Sequence, residues 1–171
     1  MVISKLETSD LTKYFRNDTQ FVVRAVADDG SYAGAGETVT FNINGVFYNR
    51  TTNETGHAKL NINLAPGDYI ITTSYDGCIE GNNVHVLPTL TGNDLNMTYG
   101  DKSQFTANLV DGQGNPYANQ SVTFNINGVF YNRTTDVNGD AKLNINLQAG
   151  EYIITSGYGD AVIANTITIT L

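Results

Sequence analysis

An internal repeat constrains this chain more than any other feature of its sequence. The segment 39–52 reads VTFNINGVFYNRTT and recurs letter for letter at 122–135. The segment 58–64, AKLNINL, recurs in the same way at 141–147. Identical blocks that recur in the same order predict that the chain folds as two copies of one structure.

The length of the repeat decides what kind of copy this is. Solenoid repeats run roughly 20–50 residues, whereas each copy here has about 85 residues, which is enough for a small independent domain. We therefore predict two tandem domains, residues 1–88 and 89–171.

The residue pattern within each copy predicts short strands. In TVTFNIN, which starts at Thr38, the apolar Val39, Phe41 and Ile43 alternate with polar residues, a period typical of half-buried strands. Asn and Thr, which are weak helix formers, make up about a quarter of the chain. Turn signals such as Asn44-Gly45 separate the strands at regular spacing. The fold class predicted is all-β, with two tandem antiparallel β-sandwich domains.

A tyrosine after a tight turn indicates which type of sandwich is expected. Tyr69 follows Ala65-Pro66-Gly67-Asp68, and Tyr152 occupies the equivalent place in the second copy. This arrangement is typical of the tyrosine corner of Ig-like sandwiches, in which the phenol bonds to nearby backbone.

Several motifs together resemble a known family. DLTKYFRNDTQF at 10–21, the VTFNINGVFYNRTT block, AKLNINL and PGDYIIT resemble the Ig-like repeats of adhesin-like surface proteins of methanogenic archaea. The resemblance covers both copies. It implies extracellular, cell-surface modules that serve as a stalk or spacer in cell attachment and belong to a longer repeat array. It also implies partners such as surface glycans or proteins of other cells.

Charge and composition narrow the classes of partner and cofactor. The formal net charge of −8 argues against nucleic acid and against contact with anionic membranes. The single Cys78 and only two histidines argue against a zinc site, and we expect no metal or other cofactor. No familiar catalytic motif is found in the sequence, so we predict a non-catalytic protein without catalytic residues.

The sharpest chemical hypothesis is an intramolecular isopeptide bond. Surface adhesins with Ig-like domains often join a first-strand Lys to a last-strand Asn, which here predicts Lys13 and Asn82. The bond needs a buried, neutral amine and a protonated carboxylic acid beside the amide. Asp10, Glu37 and Asp76 are all candidates for that acid. In the second copy Met97 replaces Lys13, so we expect no such bond there.

The sequence also contains candidate sites of modification. Six N-x-S/T sequons are candidates for glycosylation: Asn17, Asn49, Asn53, Asn96, Asn119 and Asn132.

The alternative function is recognition of a glycan or cell surface by a polar face on each repeat. Rows of Asn at 42/44 and 61/63, together with Tyr48 and its copy Tyr131, are its candidates.

Overall fold

The computed structural model describes residues 4–171, and its contacts divide the chain into two compact units, Met1–Leu87 and Pro88–Leu171. All regular secondary structure in residues 4–171 is β-strand. The strands of unit 1 are β1 (Leu6–Glu7), β2 (Leu11–Tyr14), β3 (Phe21–Ala25), β4 (Thr38–Ile43), β5 (Val46–Thr51), β6 (His57–Leu60), β7 (Gly67–Tyr75) and β8 (Cys78–Leu87). The strands of unit 2 are β9 (Leu90–Gly92), β10 (Leu95–Thr98), β11 (Gln104–Leu109), β12 (Ser121–Ile126), β13 (Val129–Thr134), β14 (Asp140–Asn144), β15 (Gly150–Tyr158) and β16 (Ala161–Thr170).

Each unit consists of a three-stranded and a five-stranded sheet. In unit 1 the strand orders are β1-β3-β6 and β2-β8-β7-β4-β5, and in unit 2 they are β9-β11-β14 and β10-β16-β15-β12-β13. The predicted all-β, Ig-like sandwich architecture is confirmed. One pairing in each unit departs from the antiparallel pattern, because β2 runs parallel to β8 and β10 runs parallel to β16.

The alternating sequence pattern places one side of each strand in the core. Val39 and Phe41 on β4 are fully buried, as are Phe21 on β3 and Ile71 on β7. The Phe21 and Phe41 rings meet edge to face across the two sheets, with centroids 5.9 Å apart. Phe105 and Phe124 repeat this contact in unit 2 at 5.9 Å. The two cores are therefore built alike, sheet against sheet.

The β4–β5 hairpin shows why the sequence folds as it does locally. Asn44 and Gly45 have φ values of 56° and 79°, the left-handed conformation that a two-residue hairpin requires at both central positions. Asn127 and Gly128 adopt the same conformation between β12 and β13. This hairpin sets the register that buries Phe41 and exposes Phe47.

The predicted tyrosine corners are confirmed in both units. The Tyr69 hydroxyl donates to the carbonyl of Ala65 at 2.8 Å, and the Tyr152 hydroxyl donates to the carbonyl of Gln148 at 2.9 Å. Each bond ties the start of a long central strand, β7 or β15, to the loop before it.

Candidate functional site

The first candidate site surrounds the ammonium group of Lys13 on β2. This side chain is 6% exposed, and its Nζ donates to the carbonyls of Ile62 at 2.8 Å and Thr19 at 3.1 Å. Burial lowers the pKa of Lys13, and the negative charge of Asp18 partly opposes that effect. Lys13 is thus a buried cation held by neutral backbone acceptors.

Unit 2 places an apolar side chain at the same position. Met97 on β10 is also 6% exposed and belongs to the core of its unit. The register is the same in both units, since Lys13 lies opposite Val86 and Met97 opposite Ile169. The buried ammonium is therefore peculiar to unit 1, while the pocket that holds it belongs to the fold.

A second cluster joins the residue before β2 to the middle of β8. Asp10 Oδ1 accepts from the backbone N–H of Asn83 at 3.0 Å and from Asn82 Nδ2 at 3.1 Å. These bonds, the backbone one first, hold the pKa of Asp10 below its usual value. Asn82 Oδ1 is buried and has no hydrogen-bond partner among residues 4–171.

Unit 2 repeats this second cluster closely. Asp94 Oδ1 accepts from the N–H of Thr166 at 2.9 Å and from Asn165 Nδ2 at 3.2 Å, and these bonds lower the pKa of Asp94. Asn165 Oδ1 is also buried and unpartnered within the described part of the chain. The carboxylate–asparagine pair is therefore a structural element of both repeats, whether or not a lysine lies nearby.

The two residues of the predicted crosslink lie on neighbouring strands at different levels. Asn82 has the same parity on β8 as the buried Val84 and Val86, so both it and Lys13 face the core. Lys13 pairs with Val86, however, four residues beyond Asn82 along β8, which corresponds to about 13 Å. In the structure the Asn82 amide donates to Asp10, and the Lys13 amine donates to backbone carbonyls. The Lys13–Asn82 bond stays a prediction.

The other two candidate acids lie elsewhere, at one end of unit 1. Glu37 and Asp76 line an open cavity of about 490 Å³ together with Asp28 and Tyr75. Lys5 Nζ donates to the carboxylates of Asp28 and Asp76, and these bonds raise the pKa of Lys5. Of the three acids left open by the sequence, Asp10 is the one that contacts Asn82.

That charged cluster has no equivalent in unit 2. Thr89, Gly112, Gln120 and Gly159 occupy the places of Lys5, Asp28, Glu37 and Asp76. The tyrosine is retained, and the Tyr158 hydroxyl donates to Gln120 Oε1 at 2.6 Å. Ion pairs in unit 1 are thus replaced by a neutral hydrogen bond in unit 2.

Two of the six sequons lie in turns that use the asparagine as a cap. Asn53 Oδ1 accepts from the backbone N–H and the hydroxyl of Thr55, and Asn17 Oδ1 accepts in the same way from Thr19. Asp136 occupies the place of Asn53 in unit 2 and caps its turn through Oδ1 as well. The capping role accounts for an oxygen acceptor at this position in either copy.

The other four sequon asparagines are exposed. Asn49 and Asn132 lie on the edge strands β5 and β13, where each Oδ1 accepts from a threonine hydroxyl of the adjacent strand. Asn96 lies on β10, and Asn119 lies in a loop with a φ of 62°. Glycosylation at all six positions stays a prediction.

The predicted asparagine rows point away from the core but do not form one face. Asn42 belongs to the five-stranded sheet, whereas Asn61 follows β6 of the three-stranded sheet and bonds Gln20 across the strands. Tyr48, the aromatic candidate, is half-buried against the core. Phe47, the neighbouring residue, is 69% exposed instead, because the hairpin register turns it outward.

Unit 2 has a cleft of about 300 Å³ along the side where its two sheets end. One wall is the edge strand β13, and the other is β14 with the segment that follows it. Its lining residues are Ile126, Asn127, Val129, Tyr131, Arg133, Leu143, Asn144, Ile145, Asn146 and Leu147. Sequence reasoning proposed Tyr131 together with the asparagine rows and missed Arg133, although Arg133 lies inside the longest identical block.

Three or more His, Cys, Asp or Glu side chains are nowhere grouped within residues 4–171 so that they could hold a metal ion. A helix long and apolar enough to cross a membrane is also not found there.

Comparison with known proteins gives similarities of fold alone. No family model matches the sequence, and no curated protein matches it. Among solved structures, a putative membrane-anchored protein from Corynebacterium diphtheriae is 17% identical, with a TM-score of 0.46 over 98% of this chain and 53% of that one. The I9–I11 tandem of titin is 16% identical, with a TM-score of 0.45 over 96% of this chain and 65% of that one.

The integrin-binding bacterial protein invasin is a further structural neighbour. It is 18% identical, with a TM-score of 0.41, over 96% of this chain and 38% of that one. The chain therefore spans about a third to two thirds of the length of these three structures. Our assignment of the fold rests on the strands and registers of this chain itself.

Proposed function

We propose that the two units are non-catalytic spacer modules of an extracellular, adhesin-like cell-surface protein, of the kind found in methanogenic archaea. The motif resemblance and the near-identical tandem repeats support this proposal. As part of a longer array, such units would hold an attachment site away from the cell and would carry tension along the chain.

The observation that carries the mechanical part is the parallel pairing of the first and last strands of the five-stranded sheet. In a parallel pair, the start of β2 and the end of β8 lie at opposite ends of the pairing. Tension between the two ends of the unit therefore loads all hydrogen bonds of the pair together, in shear. An antiparallel pair would be loaded one bond at a time, like a zip. The β10–β16 pair gives unit 2 the same geometry.

Stretching single molecules of the two-unit chain tests the proposal. The backbone N–H of Tyr99 donates to the carbonyl of Thr170 at 2.7 Å, just beyond the β10–β16 pair. Tyr99→Pro removes this donor, whereas the control Tyr99→Ala keeps it. We expect Tyr99→Pro to lower the rupture force of unit 2 alone, with unit 1 as the reference in the same molecule. Equal rupture forces for the two variants would contradict shear loading of this pair.

The predicted Lys13–Asn82 bond would strengthen unit 1 in the same role. Both residues face the core from adjacent strands, but they are offset by about 13 Å along the strand direction, so the bond requires the side chains, together with a shift of β2 along β8, to close that distance. The intact mass of the denatured, unglycosylated chain tests it. A mass one ammonia below the sequence value, restored by Lys13→Ala, would establish the bond, and the full sequence mass would exclude it.

A second candidate function is recognition of surface glycans or proteins of other cells by each repeat. The observation that favours it is the cleft beside β13, whose lining residues recur without change in unit 1. This function is compatible with the spacer role, because the cleft lies on other strands than the parallel pairs.

A further inference from the structure

The two longest identical blocks of the repeat fold around a single cleft. All ten lining residues of the cleft in unit 2 fall within 122–135 or 141–147. The counterparts of these blocks, 39–52 and 58–64, contain the same ten residues on β4, β5, β6 and the segment after β6. Sequence identity between the units is thus concentrated where the cleft is built.

Core packing does not account for this concentration of identity. Exposed positions within the blocks, such as Asn44, Asn49 and Asn63, are identical in the two units. On other strands some exposed residues have changed, and Val22 corresponds to Thr106, for example, although Ile70 and its copy Ile153 are exposed and identical. Since exposed residues are free of packing constraints, a shared surface interaction is a physical reason for keeping them alike.

The cleft combines the groups that recognise a sugar ring. Val129, which is 48% exposed, and the partly exposed Leu147 supply apolar surface, and the Tyr131 ring lies beside them, half-buried. Asn146 adds an exposed amide whose donors and acceptor match hydroxyl groups. An apolar surface with a few placed polar groups is the usual composition of a small-molecule site.

Arg133 determines the charge of the expected ligand. Its Nη1 donates to the carbonyl of Asn132 at 2.8 Å, and its guanidinium carbon lies 5.6 Å from the centre of the Tyr131 ring. Among residues 4–171 no carboxylate pairs with it, and the cleft lining contains no Asp or Glu. In a chain of net charge −8, this cleft therefore has one positive charge that no acidic side chain neutralises.

We propose that this cleft binds an acidic saccharide, a uronic acid unit whose carboxylate pairs with Arg133. Guanidinium groups bind carboxylates through charge-assisted hydrogen bonds, and the ring face would lie on the apolar surface. The volume of about 300 Å³ is at the lower end of small-molecule sites and suits one or two sugar rings. Arg50, Tyr48 and Asn63 give unit 1 the same residues, so the chain would carry two such sites. The proposal deepens the second candidate function and is independent of the spacer role.

Backbone amide NMR of the two-unit chain, titrated with digalacturonic acid, tests the proposal. We expect shifts confined to the cleft residues of both units and weakened by added salt. Arg133→Gln should weaken binding in unit 2 about tenfold, the usual effect of losing a charge-assisted hydrogen bond, and leave unit 1 unchanged. Arg50→Gln should do the reverse.

Two controls make the outcome decisive. Lys142→Gln removes the same charge from the exposed face of β14, outside the cleft lining, and should leave binding intact. The uncharged disaccharide maltose should bind much more weakly than the diuronate. An absence of shifts, equal shifts with maltose, or equal effects of Arg133→Gln and Lys142→Gln would overturn the proposal. None of these results would affect the rupture-force test of the spacer role.

Discussion

Unit 1 and unit 2 have the same strands, registers and aromatic core contacts, but unit 1 has charged side chains at positions where unit 2 has neutral ones. Unit 1 buries the Lys13 ammonium against two backbone carbonyls, where unit 2 buries the thioether of Met97. Unit 1 also gathers Lys5 and its carboxylate partners at one end, where unit 2 has uncharged residues. The difference teaches that the fold does not depend on these charges. Each charge is a feature of unit 1 alone, and its effect on stability can be measured by comparison with the neutral residue of unit 2.

The largest effect should come from the part in which the units are alike. Phe41→Ala and Phe124→Ala each remove a fully buried ring and its edge-to-face partner contact, which should cost about 3–5 kcal/mol in the affected unit. Urea unfolding followed by unit-resolved NMR signals measures this. We expect equal losses, each confined to one unit. Loss of both units in either variant would show that the two do not fold independently.

Exchanging the residues at the buried β2/β10 position tests the main difference directly. Lys13→Met should stabilise unit 1 by about 1–2 kcal/mol, because an apolar side chain replaces a buried charge. Met97→Lys should destabilise unit 2 by about 1–3 kcal/mol, since it buries an ammonium in an apolar core. Thermal unfolding of each variant measures the change. A destabilising Lys13→Met would mean that the two carbonyl bonds outweigh the cost of burying the charge.

The pH dependence of the stability of unit 1 provides a second test of the buried Lys13 ammonium. The pKa of Lys13 is lower in the folded state than in the unfolded chain, so the unfolded state holds this proton to higher pH. Stability of unit 1 should therefore rise as the pH climbs from the lowered pKa towards about 10.4. Lys13→Met should remove this rise, and a rise that persists in the variant must come from other groups.

The tyrosine corners should give a smaller, matched effect. Tyr69→Phe and Tyr152→Phe each delete one hydroxyl-to-carbonyl bond at a partly exposed site, which should cost about 1 kcal/mol. Because the bond lengths agree within 0.1 Å, at 2.8 and 2.9 Å, we expect the same loss in the melting curves of both units. Unequal losses would reveal a difference in how the two loops hold their strands.

The smallest expected effect is the loss of stability of both units at low pH. The pKa values of Asp10 and Asp94 are lowered in the folded state, so their contribution is complete above the unfolded value of about 3.9 and is lost as the pH falls through the folded values. Melting temperatures measured between about pH 5 and pH 2 should fall in both units. Asp10→Asn should flatten the fall in unit 1 only, and Asp94→Asn in unit 2 only. An unchanged acid slope in these variants would assign the fall to other carboxylates.

Much of the fold could be predicted because it is encoded locally. The repeat predicted two domains, alternation predicted the buried side of β4, and Asn44-Gly45 predicted a hairpin whose positive φ values the structure reproduces. The tyrosine corner was also predictable, since Tyr69 bonds a residue only four positions earlier. Each of these features depends on neighbours in the sequence or on a period along one strand.

The sites were less predictable because they depend on strand register and on contacts between distant segments. The sequence suggested that Lys13 and Asn82 would meet, but the parallel register places Lys13 opposite Val86 and gives Asn82 to Asp10. Nothing local determines how far β2 slides along β8. That choice is made by the packing of both strands against the whole core.

The sequence by itself determined that this protein is a pair of like β-sandwich units with alternating strands, tight hairpins and tyrosine corners. Only the tertiary structure decided that β2 and β10 run parallel to the last strand of their unit. It also decided that the Lys13 ammonium binds the carbonyls of Thr19 and Ile62, and that two identical blocks enclose one cleft around Arg133. The physical reason is range. Backbone propensities and side-chain periodicity act over a few residues, whereas register and cleft formation are set by contacts between segments far apart in the chain.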